Sequence, residues 1–334
     1  MKLYLLYMNK HITFFSLIED RYFYGFEKKI SSIIESFSSL GFEGKYVNIN
    51  SLSILKIIKI AYLIQRCNSS HIIVRMIGLK SFILLLLLIF KSRKIIIEVP
   101  TSFATLSYEY RLGSSRTLKN TIYYSFNLLL TPILLKFYKK IICYHEEGFP
   151  FNSFIKKNVI NWSNGVNMES FKNFKSEIKS IENNIIEFIC VGSISEWHGL
   201  ERILESIIVY QKKNFKYKFN LNIVGFVSTD LKKKFKSYKG YFSNDNKLIF
   251  HGLKKNNNLF NLYNSSHIAL GSLGLKKLNN FNRSELKIRE YTAIGIPFIM
   301  EANDHDFSTE NKFIYFVNKE KYFLDIKSII DWYH

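Results

Sequence analysis

Three polar residues near the end of the chain stand at a spacing that suits ligand chemistry. In NRSELKIREYTAIGIPFIM, residues 282–300, Ser284, Lys287 and Glu290 recur every three positions, so on a helix they share one edge. Gly295 is placed to stop that helix, Pro297 to close the turn, and Phe298-Ile299-Met300 to begin an apolar strand. A cation and a carboxylate so spaced form either a ligand-binding edge or an exposed ion pair contributing about 0.3 kcal/mol. A second constellation lies in VGSISEWHGLERILESI, residues 191–207, where a strand ends in a glycine-containing turn and opens a helix. Leu200, Ile203, Leu204, Ile207 and Ile208 make that helix's buried stripe. Its N-terminal end, with free N–H groups and the positive end of the dipole, favours a phosphate to which His198 and Arg202 can add donors. Many α/β proteins share such a strand-turn-helix.

Other groups invite chemistry less. Asp304-His305-Asp306 resembles a metal-ligand run, but a solvated loop is its default reading, and no metal is expected. His145-Glu146-Glu147 lies at a strand end without the i, i+4 histidine pair of a zinc protease helix. Cys67, Cys143 and Cys190 are far apart and read as buried thiols of a reducing compartment. The formal net charge of +20 asks for phosphates, an anionic membrane or nucleic acid. The chain has no zinc finger, aromatic RNA-binding signature or basic recognition region, so nucleic acid is not expected. A Lys-, Ile- and Asn-rich coding composition also accounts for part of that charge. The start, MKLYLLYMNK, lacks a signal-peptide core and cleavage site, which predicts a cytoplasmic protein.

The elements that must position these residues alternate along the whole chain. At 334 residues, 47% of them apolar, two folded domains are expected. Strands are predicted at Lys2–Met8, Lys45–Ile49, His71–Met76, Lys94–Val99, Lys140–Tyr144 and Val159–Trp162. Helices are predicted at Gly25–Leu40, Ile54–Gln65, Ser81–Phe90 and Thr121–Tyr138. The run at 81–90 is too short to span a bilayer and reads as a buried crossover helix. The apolar, aromatic 121–138 segment has basic flanks and suits either core packing or an anionic membrane surface. Between them, the polar interval 101–120 follows a strand end, where Thr101, Ser102, Tyr108 and Glu109 line either a cleft or a plain surface loop.

Residues 164–184 lose apolar periodicity and become charged, so they are read as a linker between a domain of 1–163 and one of 185–318. The second half repeats the alternation. Strands are expected at Ile185–Gly192, Tyr217–Gly225, Lys247–His251, His267–Gly271 and Phe313–Val317, and helices at Gly199–Lys212, Thr229–Tyr238, Leu259–Asn264 and Asp325–Tyr333. Two doubly wound α/β domains are the expected architecture.

The order of the motifs carries a resemblance. WHGLER at 197–202, IVG at 223–225, FHGL at 250–253 and SELKIREYTAIGIPFI at 284–299 are similar to the donor-binding half of GT-B glycosyltransferases. The nearest resemblance is to the retaining, family 4-like enzymes of bacterial capsule, exopolysaccharide and lipopolysaccharide assembly. EVPTSFATLSYEY at 98–110 and NGVNMESF at 164–171 resemble further segments of that group. The resemblance implies two Rossmann-like domains facing a cleft, with residues 319–334 packing back on the first domain. It implies a nucleoside diphosphate sugar held by the second domain without a metal cofactor, and a hexose-type sugar passed to a lipid-linked or other glycan acceptor at an anionic membrane surface.

By the same resemblance Glu290 holds the ribose hydroxyls, and Arg202 and Lys287 neutralise the diphosphate. Gly192, Ser193, His198, Gly199, Asn282, Ser284 and Glu285 line the donor, and Leu253 lies near the base. Thr101, Tyr108 and Glu109 fall on the acceptor side. The chain departs from the family pattern at Asn282, which replaces a glutamate, and at Ser193 and His198, which replace a basic pair. A sugar-nucleotide epimerase, a phosphorylase and a degenerate assembly partner use the same frame and stay open.

Overall fold

A computed structural model describes residues 10–18, 20–112, 117–144, 158–174, 177–213, 216–238, 246–278 and 281–334. The expected strand at 2–8 and His145-Glu146-Glu147 lie outside the described residues. The chain divides into two compact units, Met1–Ser163 and Asn164–His334.

The first unit holds β1 (His11–Ser16), β2 (Glu43–Asn48), β3 (His71–Arg75), β4 (Ile95–Val99), β5 (Lys140–Cys143) and β6 (Val159–Asn161). All neighbours run parallel, in the order β2-β1-β3-β4-β5-β6. Its helices are α1 (Asp20–Ser39), α2 (Ile54–Arg66), α3 (Ser81–Leu87), α4 (Phe103–Leu112) and α5 (Leu118–Leu135). β1 is a strand that periodicity missed, because two of its buried positions are Thr13 and Ser16. Their hydroxyls are satisfied across the sheet, Thr13 by Ser69 at 2.6 Å and Ser16 by Asn48 at 2.7 Å.

The polar interval after β4 opens on a helix. Ser102 caps α4 by accepting from Thr105 N at 3.1 Å, so the serine and threonine there start a helix. The apolar run at 81–90 gives α3 and then a 3₁₀ segment, Ile89–Lys94.

The second unit holds β7 (Ile185–Val191), β8 (Lys218–Val224), β9 (Lys247–Gly252), β10 (Ile268–Leu270), β11 (Phe298–Met300) and β12 (Ile314–Phe316). They are again parallel, in the order β12-β11-β10-β7-β8-β9. Its helices are α6 (Leu200–Gln211), α7 (Thr229–Ser237), α8 (Asn256–Ser265), α9 (Leu286–Ile294) and α10 (Ile326–Tyr333). The strand order reverses between β7 and β10. A doubly wound sheet opens a crevice at that switch point, beyond the carboxyl ends of its strands.

Two expectations about the edges of this unit are corrected. Residues 164–184 belong to the second unit: Phe171 is buried, Phe174 stacks on Phe260 of α8 with ring planes 3° apart, and Lys179 N donates to Tyr333 Oη at 3.2 Å. The helix α10, expected to pack back on the first domain, buries Ile326, Ile329 and Ile330 in the second unit's own core with Leu200 and Ile203 of α6. Its amphipathic pattern needed an apolar surface, and the nearest one is the sheet face it follows.

Candidate donor-binding site

The switch point brings two loops together. After β7 the chain turns through Gly192, at φ 139°, into a short 3₁₀ turn, Glu196–His198, which leads through Gly199 into α6. After β10 it runs through Gly271-Ser272-Leu273-Gly274. Leu273 N donates to His198 O at 3.0 Å and Gly274 N to Trp197 O at 3.3 Å. Gly199, at φ 65°, lies where a Cβ would come 2.5 Å from both Gly274 N and Leu273 C. The glycine of the WHG run is thus a close-approach glycine that joins the two loops. Open space lies above Gly192, where an added Cβ would meet nothing within 4 Å.

His198 faces this corner. Its Nδ1 lies 2.9 Å from Ser195 N and 3.2 Å from Ser195 O. Burial, and then the charges of Lys287 and Arg283, hold its pKa well below the usual histidine value, and the ring is neutral at pH 7. Its ring stacks on Trp197, centroids 3.9 Å apart, and the Arg283 guanidinium carbon lies 4.3 Å from the centre of the indole.

Into the same corner α9 sends Lys287. Its ammonium lies 3.5 Å from Glu285 Oε2, with each side chain only 10% exposed. Neither the ammonium nor either oxygen of that carboxylate hydrogen-bonds to any described residue, and the buried Ser272 Oγ and Trp197 Nε1 share that condition. Buried charges with hydrogen-bonding capacity left over are costly unless a ligand supplies the partners. Cys190, at the end of β7, feels both charges, although burial dominates and pushes its thiol up. Glu290, one turn further along α9, accepts from Tyr263 Oη at 3.4 Å.

Arg202 does not join this group. Its Nε donates to Tyr322 O at 2.6 Å. Nη1 donates to Leu273 O and to Glu301 Oε1, both at 2.7 Å, and Nη2 to Asn318 O at 2.9 Å and to Lys321 O. Five bonds occupy the five N–H donors of a guanidinium, so none is left for a phosphate. Arg202 is the tie that fastens α6 to the 318–322 segment and to β11's end, and the diphosphate role is withdrawn from it. No motif signals this, because four of the acceptors are backbone carbonyls of distant loops.

Ser284 also has an internal role. Its Oγ accepts from Asn164 N at 2.7 Å and from Arg289 Nη2 at 2.9 Å. Arg289, unnoticed in the sequence, also donates to Asp304 at 2.7 Å and to Asp306 at 2.5 Å. The Asp304-His305-Asp306 run therefore anchors a guanidinium. Asn282 pairs with Asn303, whose Nδ2 donates to Asn282 Oδ1 at 3.0 Å in a parallel bridge. Ser193 is exposed beside Gly192, and Leu253 is exposed beyond Gly252. Thr101, which precedes α4, and Tyr108, in the middle of α4, are half-buried in the first unit. Glu109 belongs to α4, and its side chain lies outside what is described.

No protein-family model and no curated protein matches the sequence. Solved structures do match in fold. A glycosyltransferase from Rickettsia africae ESF-5 superposes with a TM-score of 0.59 at 13% identity, covering 97% of this chain and 88% of that one. An alpha-glucosyltransferase in complex with UDP-glucose and DNA containing an abasic site gives 0.64 at 14% identity, covering 97% and 89%. The catalytic domain of starch synthase IV from Arabidopsis thaliana, bound to ADP and acarbose, gives 0.60 at 10% identity, covering 97% and 92%. At such identities the likeness is one of architecture, and with its two parallel six-stranded sheets the chain has the two-domain α/β fold, GT-B, of these glycosyltransferases.

Proposed function

We propose that the protein is a glycosyltransferase that takes a hexose-type sugar from a nucleoside diphosphate donor bound at the β7/β10 switch point. The observation that carries this reading is the buried Lys287–Glu285 pair, whose charged atoms lack hydrogen-bond partners among the described residues. A diphosphate matches Lys287, and sugar hydroxyls match the Glu285 carboxylate. Glu290 holds the ribose in this reading. The neighbours with UDP-glucose and with ADP support a sugar nucleotide as the donor class.

In the reaction the bond from the anomeric carbon to the β-phosphate oxygen breaks, and its electron pair leaves with the diphosphate. The acceptor hydroxyl oxygen bonds to that carbon, and its proton passes to the departing phosphate. Lys287 stabilises the charge that grows on the leaving group. Retention of configuration, operation without a divalent metal, a lipid-linked bacterial glycan as acceptor and residence at the inner face of the cytoplasmic membrane complete the proposal. These four rest on the motif resemblance.

Calorimetry against UDP, ADP and GDP tests the donor site, and binding of none of them overturns it. Transfer from radiolabelled sugar nucleotides to a membrane lipid extract then tests the chemistry. Lys287→Ala is expected to lower it about a hundredfold or more, and equal rates from wild type and variant remove Lys287 from the site. Sugar released or epimerised without acceptor marks a phosphorylase or an epimerase instead.

A further inference from the structure

Among the described residues, the carboxylates deepest in the fold have donors. Glu98, Glu201, Glu301 and Asp304 each accept at least one hydrogen bond from a side chain, and Glu301 takes a second from Leu275 N at 2.7 Å. Glu187, half-buried in β7, takes an amide N–H from Asn220 at 2.5 Å on one oxygen and one from Asn222 at 2.9 Å on the other. Glu285 is the exception. Its side chain is 10% exposed, and it alone among these carboxylates has both oxygens buried and neither of them hydrogen-bonded. Two acceptors left in that state are costly.

Two local roles fall short of explaining it. Glu285 stands at the N-cap of α9, yet its side chain accepts no capping bond. Lys287 supplies a counter-charge 3.5 Å away without a hydrogen bond, and a buried ion pair so arranged returns less than the desolvation of its two ions costs. The carboxylate is placed for a ligand instead. Cys190 at the end of β7, its thiol raised mainly by burial, also feels Lys287 and Glu285, so both charges lie by the strand ends where the crevice opens. On the loop after β10, the hydroxyl of Ser272, 1% exposed, likewise has no partner.

An ionised carboxylate accepts hydrogen bonds and donates none. A pair of neighbouring hydroxyls answers both of its oxygens at once and frees Lys287 for the diphosphate. A ligand carboxylate in the same place sets anion against anion and leaves both oxygens unanswered. Given a nucleoside diphosphate sugar at the switch point, a reading on which the assignment rests, we propose that Glu285 determines which sugar the donor carries. It admits neutral sugars that present two adjacent free hydroxyls, and it rejects uronic acids. A nucleotide without its sugar brings no such hydroxyls, so Glu285 then competes with the phosphates for Lys287 and weakens the hold on the spent nucleotide.

Calorimetry on the full chain tests this. Whichever of UDP, ADP and GDP binds is compared as its glucose, galactose, mannose and N-acetylglucosamine derivatives and as the matching uronates. The best neutral donor should bind at least about a hundredfold tighter than its uronate. Glu285→Gln should narrow that ratio to about tenfold or less. It should also bind the bare nucleotide more tightly than wild type does, because Lys287 is no longer shared. Glu285→Asp keeps the charge and should keep the preference. Lost stability weakens every ligand alike and leaves the ratio unchanged, and the wild-type comparison stands even where a variant fails to fold. A wild type that holds a uronate as tightly as its neutral counterpart overturns the proposal, as does a folded Glu285→Gln with the wild-type ratio or with weaker binding of the bare nucleotide. In each of these cases nucleotide binding by the wild type leaves the donor site standing. Binding of no nucleotide at all removes the donor site, and this role of Glu285 with it.

Discussion

Arg202 and Lys287 are both cations of the second unit, and their surroundings give them opposite duties. Arg202 is saturated by four carbonyls and Glu301. Burial raises the Glu301 carboxyl, and the N–H of Leu275 together with Arg202 only partly offsets that, so Glu301 depends on its partner to stay charged. Arg202→Gln leaves this carboxylate buried without a counter-charge and is expected to destabilise by roughly 3–5 kcal/mol. Nucleotide affinity of the protein that remains folded should stay within about threefold of wild type, since none of the lost bonds reaches a ligand. Chemical denaturation and calorimetry separate the two effects. Lys287 predicts the reverse. Removing both charges together in Lys287→Met with Glu285→Gln relieves a buried pair that lacks hydrogen bonds, so stability should change by about 1 kcal/mol or less while nucleotide affinity falls at least about tenfold.

At the scale of elements, the site depends on the contact between the loop after β7 and the loop after β10. Gly199 makes that contact possible, and its left-handed φ of 65° adds a second reason for glycine. Gly199→Ala puts a methyl carbon into backbone atoms and is expected to cost roughly 3 kcal/mol or more. It should weaken nucleotide binding at the same time, because His198 and Ser272 lie on the two loops it parts. A melting curve and a nucleotide titration of one sample check both. Much of the element order was legible, since parallel strands buried on both faces read as short apolar runs such as Ile185–Val191 and Ile95–Val99. β1 and α4 were not, because Thr13, Ser16, Ser102 and Thr105 are buried through side-chain hydrogen bonds that hydrophobic periodicity cannot register. That Lys287 and Glu290 share one helix was legible from their spacing. The duties of Arg202, Ser284 and Arg289 were not, because their partners lie far away in sequence and many are backbone atoms.

Among the described residues each unit holds its own apolar packing. In the second unit a core gathers β7, β8, α6 and α10; in the first, one core gathers β3, β4, α2 and α3 and another packs Phe26 and Ile30 of α1 on Ile12, Phe14 and Ile73. Units built this way are expected to melt in separate transitions, and one acidic residue supplies a handle on the first. Glu98, 1% exposed, accepts from Lys29 Nζ at 3.0 Å, from Arg75 Nη1 at 2.8 Å and from Tyr144 Oη at 2.9 Å. Burial by itself would raise its pKa, but Arg75 and Lys29 together hold it down, from 4.5 to about 2. A carboxyl more acidic folded than unfolded contributes stability that is fully present above pH 4.5 and is lost as pH falls toward 2. The full loss is roughly 3 kcal/mol. Lys29 works in the other direction: burial outweighs its share of Glu98 and lowers it to about 8, so its contribution improves as pH rises above 8. Glu98→Gln should therefore cost the first unit roughly 3–5 kcal/mol near neutral pH, by stranding two buried cations. It should also flatten that unit's acid dependence below pH 4.5. Saturating UDP, if it binds at the switch point, should raise only the other transition, by about 2.7 kcal/mol at a hundred times its Kd. Scanning calorimetry from pH 3 to 7, with and without UDP, reads both shifts. A single transition that moves with both Glu98→Gln and UDP would show that the two units unfold as one.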